Sequence, residues 1–438
     1  MSDFLEALIY ILTGLLVVAV PLIYFRRARK ESERARRTLQ KAVERGQDEP
    51  VSLHPYIDPA KCIGAGACVQ ACPEVDVLGM INNKSALINP SHCVGHGACE
   101  AACPTDAITL VFGSEKRGVD IPFVKADFET NVPGVYIAGE LGGMGLIRNA
   151  VKQGQEAIEN IVKSLANEIR GDMLDLVIVG AGPAGIAASL QAKKDGLDFV
   201  TLDQEDLGGT ILTYPRRKFV MSQPMELPLY GIIKAREIQK ENLVEIFHDV
   251  FERTNLSVNS GHRVEGISAA DGGFVVATAG GELRSKRVLL AIGRRGTPRK
   301  LGVPGEKAPK VAYRLLEPEQ FQKMNLLVVG GGDAAVETAI ALAEQNGNKV
   351  HISYRREGFF RLKEGNEKRI DDAIQSGVVK TLFNSQVTRI DSKEVCLEYA
   401  GGELVLPNDY VFVFIGGELP TEFLKKIGIE ISRKFGER

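Results

Sequence analysis

The chain has 438 residues, which is long enough for two or three compact domains. Lys and Arg total 54 and Asp and Glu total 56, so the charge balance gives no reason to expect nucleic acid as a partner. Six of the seven cysteines fall between residues 62 and 103, and such crowding indicates either disulfides or metal ligation. The cytoplasmic position argued next favours metal ligation.

The amino terminus predicts a membrane anchor. Residues 7–25 carry no charge, and at about 1.5 Å per residue a helix of this length nearly spans the hydrocarbon core of a bilayer. A cleaved signal peptide would carry positive charge before the apolar run, whereas here Asp3 and Glu6 precede it and a basic cluster follows. We therefore expect a single-pass protein of the inner (cytoplasmic) membrane with residues 26–438 on the cytoplasmic side. A signal peptide and a buried core helix are the alternatives.

Two cysteine clusters repeat one spacing. The first reads CIGAGACVQACP from Cys62, and the second reads CVGHGACEAACP from Cys93. Both resemble the C-x2-C-x2-C-x3-C-P pattern of bacterial two-cluster ferredoxins, over residues 53–112. The second cysteine of the pattern is replaced by Ala65 in the first cluster and by His96 in the second.

The ferredoxin resemblance implies two iron–sulfur sites, because in that fold the last cysteine of each motif belongs to the other site. The implied ligand sets are Cys62, Cys68 and Cys103 in the first site, and Cys72, Cys93 and Cys99 in the second. Three thiolates suit a [3Fe-4S] cluster, or a [4Fe-4S] cluster whose last iron takes a small outside ligand. His96 is either a fourth ligand of the second site, since imidazole can bind iron, or a surface or hydrogen-bonding residue. The same spacing would also fit a degenerate domain without clusters, or a zinc site.

A dinucleotide fingerprint follows in DLVIVGAGPAG, residues 175–185. An apolar strand runs into Gly180, Gly182 and Gly185, and Asp203 ends the next predicted strand. The first glycine makes the turn, the second lets a pyrophosphate approach the backbone, and the third lets helix and strand pack. The helix amino terminus favours the phosphate charge, and we expect Asp203 to accept a hydrogen bond from a ribose hydroxyl.

A second copy, LLVVGGGDAAVETA, predicts a second nucleotide site with Gly330, Gly332 and Ala335 in the small positions. The next predicted strand, KVHISYRRE, ends in Arg355 and Arg356 where an NAD enzyme usually carries an acid. Guanidinium groups suit a 2′-phosphate, so NADP is favoured over NAD. The alternative is that both arginines are only solvent-exposed charges.

The segments GAGPAG, LGGT, LLAIGRRGTPRKLGVPGE, VVGGGDAAVETA and YVFVFIGGELP resemble, in this order, a thioredoxin-reductase-type flavoprotein. The resemblance covers residues 118–438 and implies that the first fingerprint binds FAD and the second binds the nicotinamide nucleotide. The further cofactor contacts taken from these motifs are Pro183, Ala184, Gly208, Gly209 and Thr210 for FAD, and Asp333 for the nicotinamide nucleotide.

The sequence departs from this family in its thiols. The redox-active Cys-x-x-Cys of the family is absent, because the lone cysteine after residue 103 is Cys396. Cys396 stands in the strand-like segment KEVCLEYA, where we expect it to be buried rather than reactive.

The second departure is one of chain order. The segment that closes over the flavin at the end of this family is missing after Arg438 and instead matches TNVPGVYIAGELGGMGLIRNAVKQG at residues 130–154. The sequence therefore predicts a circularly permuted flavoprotein, a rearrangement that nearby chain termini make easy. By this resemblance Gly139 and Glu140 contact the FAD ribitol, and Arg148, Asn149 and Ala150 lie near the isoalloxazine ring.

The predicted fold class is α/β, with two Rossmann-like dinucleotide-binding domains and a small α+β ferredoxin domain behind one transmembrane helix. The predicted order is a transmembrane anchor at 1–25, a charged solvated stalk at 26–52, a two-cluster ferredoxin-like domain at 53–117, an FAD-closing segment and linker at 118–172, an FAD-binding domain at 173–295, an NAD(P)-binding domain at 296–400, and a return to the FAD domain at 401–438. The stalk is expected near anionic lipid, with an ordinary linker as the alternative.

The predicted function is a membrane-anchored oxidoreductase that moves electrons between NAD(P)H, FAD and two iron–sulfur clusters. The other partner is a one-electron carrier protein or a membrane redox partner. The sequence is compatible with a homodimer. Because the cofactors supply the chemistry, no catalytic side chain is predicted. The alternatives are a thiol/disulfide reductase and a non-catalytic redox sensor.

Overall fold

The computed structural model divides the chain into two compact units. One unit comprises residues 1–119 and 434–438, and the other comprises residues 120–433. The residues that the structure describes are 2–50, 53–74, 76–115, 118–143, 145–166, 173–214, 219–221, 224–234, 237–294, 298–360, 362, 364–417 and 420–437. Residues 167–172 of the predicted linker and residues 295–297 of the GRRGTPRK motif lie outside this set.

The first unit combines one long helix with a small domain of two antiparallel strand pairs. Its elements are α1 (Ser2–Glu44), β1 (Leu53–Ile57), α2 (Ala67–Ala71), β2 (Leu78–Ile81), β3 (Lys84–Leu87), α3 (Ala98–Ala101) and β4 (Ile108–Phe112). β1 pairs antiparallel with β4, and β2 pairs antiparallel with β3. The short helices α2 and α3 begin after Gly66 and Gly97, which both have positive φ and stand at equal positions in the two cysteine motifs. The repeated spacing in the sequence is thus matched by a repeated backbone.

Helix α1 contains the apolar amino-terminal segment. Within the described residues, the segment Tyr10–Glu44 includes one stretch that is long and apolar enough to cross a membrane, and none of that stretch is buried. Length and composition therefore allow a membrane span, as the sequence predicts, and they also allow a signal segment.

The later part of α1 packs on the small domain. Ala35 and Ala42 are buried, and Gly79 on β2 leaves room for Ala35, because a Cβ on Gly79 would lie 3.0 Å from the Ala35 Cβ. Arg34 also pairs with Asp76 at 3.0 Å. The prediction of a stalk surrounded by solvent is therefore wrong for one face of this segment, because small side chains let that face approach β2 closely.

The second unit contains two sheets with parallel cores. Its elements are β5 (Val119–Pro122), β6 (Val135–Ile137), α4 (Ile147–Leu165), β7 (Leu174–Val179), α5 (Pro183–Lys194), β8 (Phe199–Leu202), β9 (Phe219–Met221), β10 (Met225–Leu227), β11 (Gly231–Ile233), β12 (Glu237–Gln239), α6 (Lys240–Thr254), β13 (Val264–Ala270), β14 (Gly273–Thr278), β15 (Gly281–Leu290), β16 (Val311–Ala312), β17 (Asn325–Val329), α7 (Asp333–Ala343), β18 (Lys349–Tyr354), α8 (Glu364–Gln375), β19 (Val379–Phe383), β20 (Gln386–Ile390), β21 (Glu394–Tyr399), β22 (Gly402–Pro407), β23 (Tyr410–Val413), α9 (Thr421–Lys426) and β24 (Ile431–Lys434).

The first sheet has the order β13-β14-β15-β7-β8, and β6 also pairs with β15. β6, β15, β7 and β8 run parallel to one another, whereas β13, β14 and β15 form an antiparallel meander. The second sheet has the order β16-β23-β17-β18-β19 and is parallel throughout. A separate antiparallel sheet consists of β20, β21 and β22.

The segment at residues 130–154 completes the first sheet from an earlier part of the chain. In β6, Val135 pairs with Val288 of β15. Helix α4 then packs against α5 so closely that a Cβ on Gly154 would overlap the carbonyl oxygen of Ala184. This segment therefore lies beside the first fingerprint turn, which is the geometry that a permuted flavoprotein requires.

The predicted boundary at residue 400 is too early. β22 pairs with β21, and β23 lies between β16 and β17 in the second parallel sheet. The reason is that β23 is a continuous apolar strand of the kind found in the middle of parallel sheets, and its Phe412 is buried in that core. The chain returns to the first sheet at α9, where Leu424 packs with Val135 and Ile137.

The last described residues belong to the first unit rather than to the flavoprotein unit. The Phe112 N–H donates to the Glu437 carbonyl at 2.8 Å, and the Gly436 N–H donates to the Phe112 carbonyl at 2.8 Å. These residues thus pair with the end of β4, where a strand edge offers unpaired backbone groups. The predicted assignment of residues 434–438 to the FAD domain is therefore wrong.

The contact between α4 and α5 can be tested with Gly154→Ala. We expect the added methyl to force the helices apart and to lower the stability of the second unit by about 1–3 kcal/mol, as overpacking does. The measurement is the calorimetric Tm of the purified protein. The control is Gly365→Ala, also within a helix, where the space is open and alanine should raise helix stability slightly. An unchanged Tm in Gly154→Ala would contradict the described packing.

Candidate cofactor sites

The first fingerprint forms a tight turn between β7 and α5. Gly180 has a φ of 108°, and a Cβ there would lie 2.5 Å from the Ala291 carbonyl oxygen. A Cβ on Gly185 would overlap the carbonyl oxygen of Gly180. Gly182, in contrast, faces open space at the start of α5. Two of the glycines are therefore required by packing, and the third leaves a cradle at a helix amino terminus that suits a pyrophosphate.

Asp203 follows β8 and lies against this turn. Its carboxylate accepts the N–H of Ala181 at 2.5 Å and the N–H of Glu205 at 2.8 Å. Burial raises the pKa of Asp203 above its ordinary value. The structure thus places Asp203 at the predicted position but engages it with backbone donors, and its contact with a ribose hydroxyl stays a prediction.

The LGGT segment lies against the same turn. The Gly208 N–H donates to the Ala181 carbonyl at 3.0 Å, and a Cβ on Gly209 would lie 3.1 Å from the Gly182 Cα. Thr210 follows within the short 3₁₀ helix Gly209–Thr213. Pro183 and Ala184 form the first positions of α5, so these predicted contacts all converge on one turn.

The closing segment reaches the first turn through Gly139. Its φ is 83°, and a Cβ there would lie 2.9 Å from the Ala184 Cβ. Its N–H donates to Gln153 Oε1 at 2.8 Å. Nothing in the sequence pattern singled out Gln153, although its amide holds this turn in place. Glu140 begins the 3₁₀ helix that follows, and Arg148, Asn149 and Ala150 lie in the first turn of α4.

The second fingerprint repeats the geometry between β17 and α7. Gly330 has a φ of 143°, and a Cβ there would overlap the Phe414 carbonyl oxygen. Gly332 again faces open space, and Ala335 is buried in the helix. Asp333 Oδ1 accepts the side-chain amide of Asn366 at 2.8 Å. The cradle at Gly332 therefore also fits a pyrophosphate.

Arg355 and Arg356 directly follow β18, and both are exposed. The ring of Tyr354 covers Gly331 in the turn, because a Cβ on Gly331 would lie 2.5 Å from three of its ring atoms. The Arg356 guanidinium lies 5.5 Å from the Phe360 ring centroid. Two exposed guanidinium groups therefore follow the strand at the edge of the second turn, where a 2′-phosphate is expected to bind.

The six clustered cysteines form the two groups that the ferredoxin resemblance implies. Cys62, Cys68 and Cys103 line one cavity. In the other group, burial raises the pKa of Cys93 to about 11 and of Cys99 to about 12, with smaller contributions from neighbouring thiols. Those neighbours are Cys72 for Cys93, and Cys93 and Cys72 for Cys99.

All seven cysteines lie in the described part of the chain and are free thiols. Three of the six clustered thiols are buried and three are half-buried. Converging thiols with little access to water cannot ionise together without a cation, and iron supplies one, so the donor set fits clusters. That these groups bind iron stays a prediction.

His96 is half-buried within the second cysteine motif. Its Nε2 is buried and has no hydrogen-bond partner. Burial lowers the pKa of His96, while the charge of Glu74 acts in the opposite direction. The same Glu74 carboxylate contributes to the raised pKa of Cys72 and of Cys93, which places it beside this group. A neutral imidazole with an unpartnered nitrogen can bind a metal, so ligation by His96 stays a prediction.

The first group has a polar neighbour that the motif did not indicate. Ser85 on β3 is buried, and the Cys68 thiol donates to its Oγ at 3.2 Å. The Ser85 N–H donates to Cys62 Sγ at 3.5 Å. The sequence held one hint of this residue, which is its position in the repeat. Ser85 stands eight residues before Cys93, just as His54 stands eight residues before Cys62.

Comparison with known proteins bears on both units. Residues 177–436 match the pyridine nucleotide-disulphide oxidoreductase family. The chain belongs to that family. Residues 54–104 match the 4Fe-4S dicluster domain. The protein is therefore a flavoprotein oxidoreductase that carries a ferredoxin-type domain, as the sequence predicts.

Individual relatives agree with this assignment. A ferredoxin–NADP reductase of Ignicoccus hospitalis is 33% identical over 271 residues, covering 60% of this chain and 83% of the relative. The bacilliredoxin reductase Bdr of Bacillus subtilis is 26% identical, covering 59% and 82%. The solved bacillithiol disulfide reductase Bdr (YpdA) of Staphylococcus aureus has a TM-score of 0.54 at 24% identity, covering 60% and 82%, and shows the shared fold.

The grouping of the cysteines predicts which variants resemble each other. Cys62→Ser and Cys103→Ser should abolish one and the same iron–sulfur signal, although 41 positions separate them, and Cys72→Ser should abolish the other. The measurement is electron paramagnetic resonance of anaerobically reconstituted protein. Cys396→Ser is the control and should leave both signals intact. Loss of different signals in Cys62→Ser and Cys103→Ser would contradict the grouping.

The exposed arginine pair predicts nucleotide preference. We expect NADPH to reduce the flavin at lower concentration than NADH, and Arg355→Ala with Arg356→Ala to weaken NADPH binding about tenfold or more, because hydrogen bonds to charged groups contribute about 1.5–3 kcal/mol each. The measurement is flavin bleaching against nucleotide concentration. Arg369→Ala, an exposed arginine paired with Glu344, is the control. A preference for NADH in the unmodified protein would show the assignment to be wrong.

Proposed function

We propose that the protein is a membrane-anchored oxidoreductase that moves electrons between NAD(P)H, FAD and two iron–sulfur clusters, to or from a one-electron partner. One observation carries the proposal: a single chain contains two nucleotide turns and two groups of three thiols, and only one cysteine lies outside those groups. A bound flavin exchanges hydride with a nicotinamide and single electrons with clusters.

The same observation argues against a thiol/disulfide reductase. A reductase of that kind needs a redox-active cysteine near its flavin, and outside the ferredoxin-type domain the sequence offers Cys396 alone. Cys396 is fully buried in β21, where the Arg389 guanidinium donates to its Sγ at 3.2 Å. Burial also raises the pKa of the Cys396 thiol, which lowers the population of the nucleophilic thiolate. The favoured exit for electrons is therefore the ferredoxin-type domain.

The residues of the first nucleotide site would bind FAD and orient it. The open cradle at Gly182 would hold the FAD pyrophosphate against the α5 amino terminus, and Asp203 would meet the adjoining ribose. Gln153 fixes the backbone of Gly139, which brings the closing segment over the same site. In the second site the cradle at Gly332 and the Arg355–Arg356 pair would hold NADPH. This division corresponds to two Rossmann-like domains within the second unit.

In the ferredoxin-type domain the thiols would hold iron. Each group supplies three thiolates, which suits a [3Fe-4S] cluster or a [4Fe-4S] cluster with one further ligand. Ala65 offers no ligand to the first site. His96 could complete the second, because its Nε2 is buried and unpartnered.

Membrane anchoring is supported by the continuity of α1. The apolar segment and the part that contains Ala35 and Ala42 form one unbroken helix, and those two alanines are buried against the domain. A removable signal segment has no need of a helix that continues into the folded domain. We therefore favour a single-pass anchor of the inner membrane, with the basic residues that follow it on the cytoplasmic side. The acceptor or donor would then be a membrane redox partner or a carrier protein near the bilayer.

The proposal predicts the behaviour of a variant with one serine in each thiol group, Cys68→Ser with Cys99→Ser. NADPH should still bleach its flavin, because both nucleotide turns are intact, whereas reduction of a one-electron acceptor such as cytochrome c should fall at least tenfold. Stopped-flow absorbance under anaerobic conditions measures both steps.

Cys396→Ser is the control and should retain both steps. If the double serine variant reduces cytochrome c at the original rate, the clusters are not on the electron path. A redox-sensing role for the clusters would then be the better account of the ferredoxin-type domain.

A further inference from the structure

Ser85 stands at the first thiol group without belonging to the cysteine motif. It lies on β3, its side chain is buried, and it lines the same cavity as Cys62, Cys68 and Cys103. Its Oγ is 3.2 Å from Cys68 Sγ, and its backbone nitrogen is 3.5 Å from Cys62 Sγ. One residue therefore directs two polar groups at two of the three sulfurs.

The hydrogen bond between Ser85 and Cys68 must change direction when iron binds. In the free thiol the S–H donates to the serine Oγ. A thiolate bound to iron has no proton to donate, but it can accept one, and the serine hydroxyl can rotate to supply it. With iron bound, the Ser85 hydroxyl would then donate an O–H···S hydrogen bond to Cys68, and the Ser85 N–H would donate to Cys62.

We infer that Ser85 is a positioning residue that donates hydrogen bonds to the sulfurs of the first cluster and thereby raises its reduction potential. Donors to sulfur withdraw charge and stabilise the reduced, more negative cluster. The inference rests on the proposed function, because it presupposes that the first thiol group holds iron. It goes beyond that function in naming the residue that sets the potential of one of the two clusters.

An alternative role for Ser85, as an oxygen ligand in place of the missing cysteine at Ala65, is less favourable. Ligation would require the hydroxyl to lose its proton, whereas donation to Cys68 requires only a rotation. The backbone N–H of Ser85 also donates to Cys62 Sγ. A donor directed at a sulfur stabilises a thiolate ligand and does not itself bind iron.

The experiment is an anaerobic redox titration of the full-length protein followed by electron paramagnetic resonance, comparing the wild type with Ser85→Ala and Ser85→Thr. The signal that disappears in Cys68→Ser identifies the first cluster. Ser85→Ala should lower the reduced-to-oxidised ratio of that cluster about fivefold at a fixed potential, a size typical of one hydrogen bond. The second cluster should not shift, and Ser85→Thr, which retains a hydroxyl, should restore most of the wild-type ratio.

The matched control is Ser114→Ala, a serine of the same domain whose hydroxyl donates to Glu49. Equal shifts in Ser85→Ala and Ser114→Ala, or in Ser85→Ala and Ser85→Thr, would assign the effect to packing and overturn the inference. An unchanged potential in an iron-loaded Ser85→Ala protein would overturn it as well. Iron analysis separates this failure from that of the proposed function, because a wild type without iron would overturn both.

Discussion

The close packing of α4 against α5 holds residues 130–154 beside the first fingerprint turn, although this segment precedes the fingerprint in the chain. Gly154 has no side chain, so the two helices meet at the carbonyl of Ala184. This contact sets the position of the turn at Gly139, and β6 adds the same segment to the parallel sheet. The packing contacts do not depend on chain order. A segment moved to the other end of the sequence can therefore fill the same place, provided that its entry point is near.

The sequence predicted the parts of the sites whose geometry is local. A glycine at position 180 or 330 is required by a positive φ in a tight turn, so the fingerprint and the structure agree there. Position in tertiary structure was harder to predict. The apolar sequence of the strand Tyr410–Val413 would suit the interior of either parallel sheet. Only the strand pairing shows that it lies between β16 and β17. Likewise, Ala35 in a charged helix gives no periodic signal, because a glycine elsewhere in the chain creates its packing site.

The two halves of the ferredoxin-type domain share a backbone pattern but differ in their polar groups. Ala65 in the first motif corresponds to His96 in the second, and His54 before the first motif corresponds to Ser85 before the second. The ferredoxin resemblance implies which thiols converge, and the repeated short loops and helices agree with it. It does not predict the surroundings of each sulfur, which come from strands distant in sequence. Because potential depends on those surroundings, equal spacing does not imply equal clusters.

If the apolar run crosses a membrane as proposed, the continuity of α1 limits where the proposed clusters can exchange electrons. From Phe25, at the end of the apolar run, to Ala35, the first buried alanine, the helix rises about 15 Å at 1.5 Å per residue. With the apolar run in a bilayer, the ferredoxin-type domain is thus held close to the membrane surface by a rigid connection rather than a flexible tether. Partners in that membrane then meet the domain at a high effective concentration, whereas a carrier in bulk solution gains nothing from the anchor. On the proposed anchoring, the helix therefore favours a redox partner in or on the same membrane.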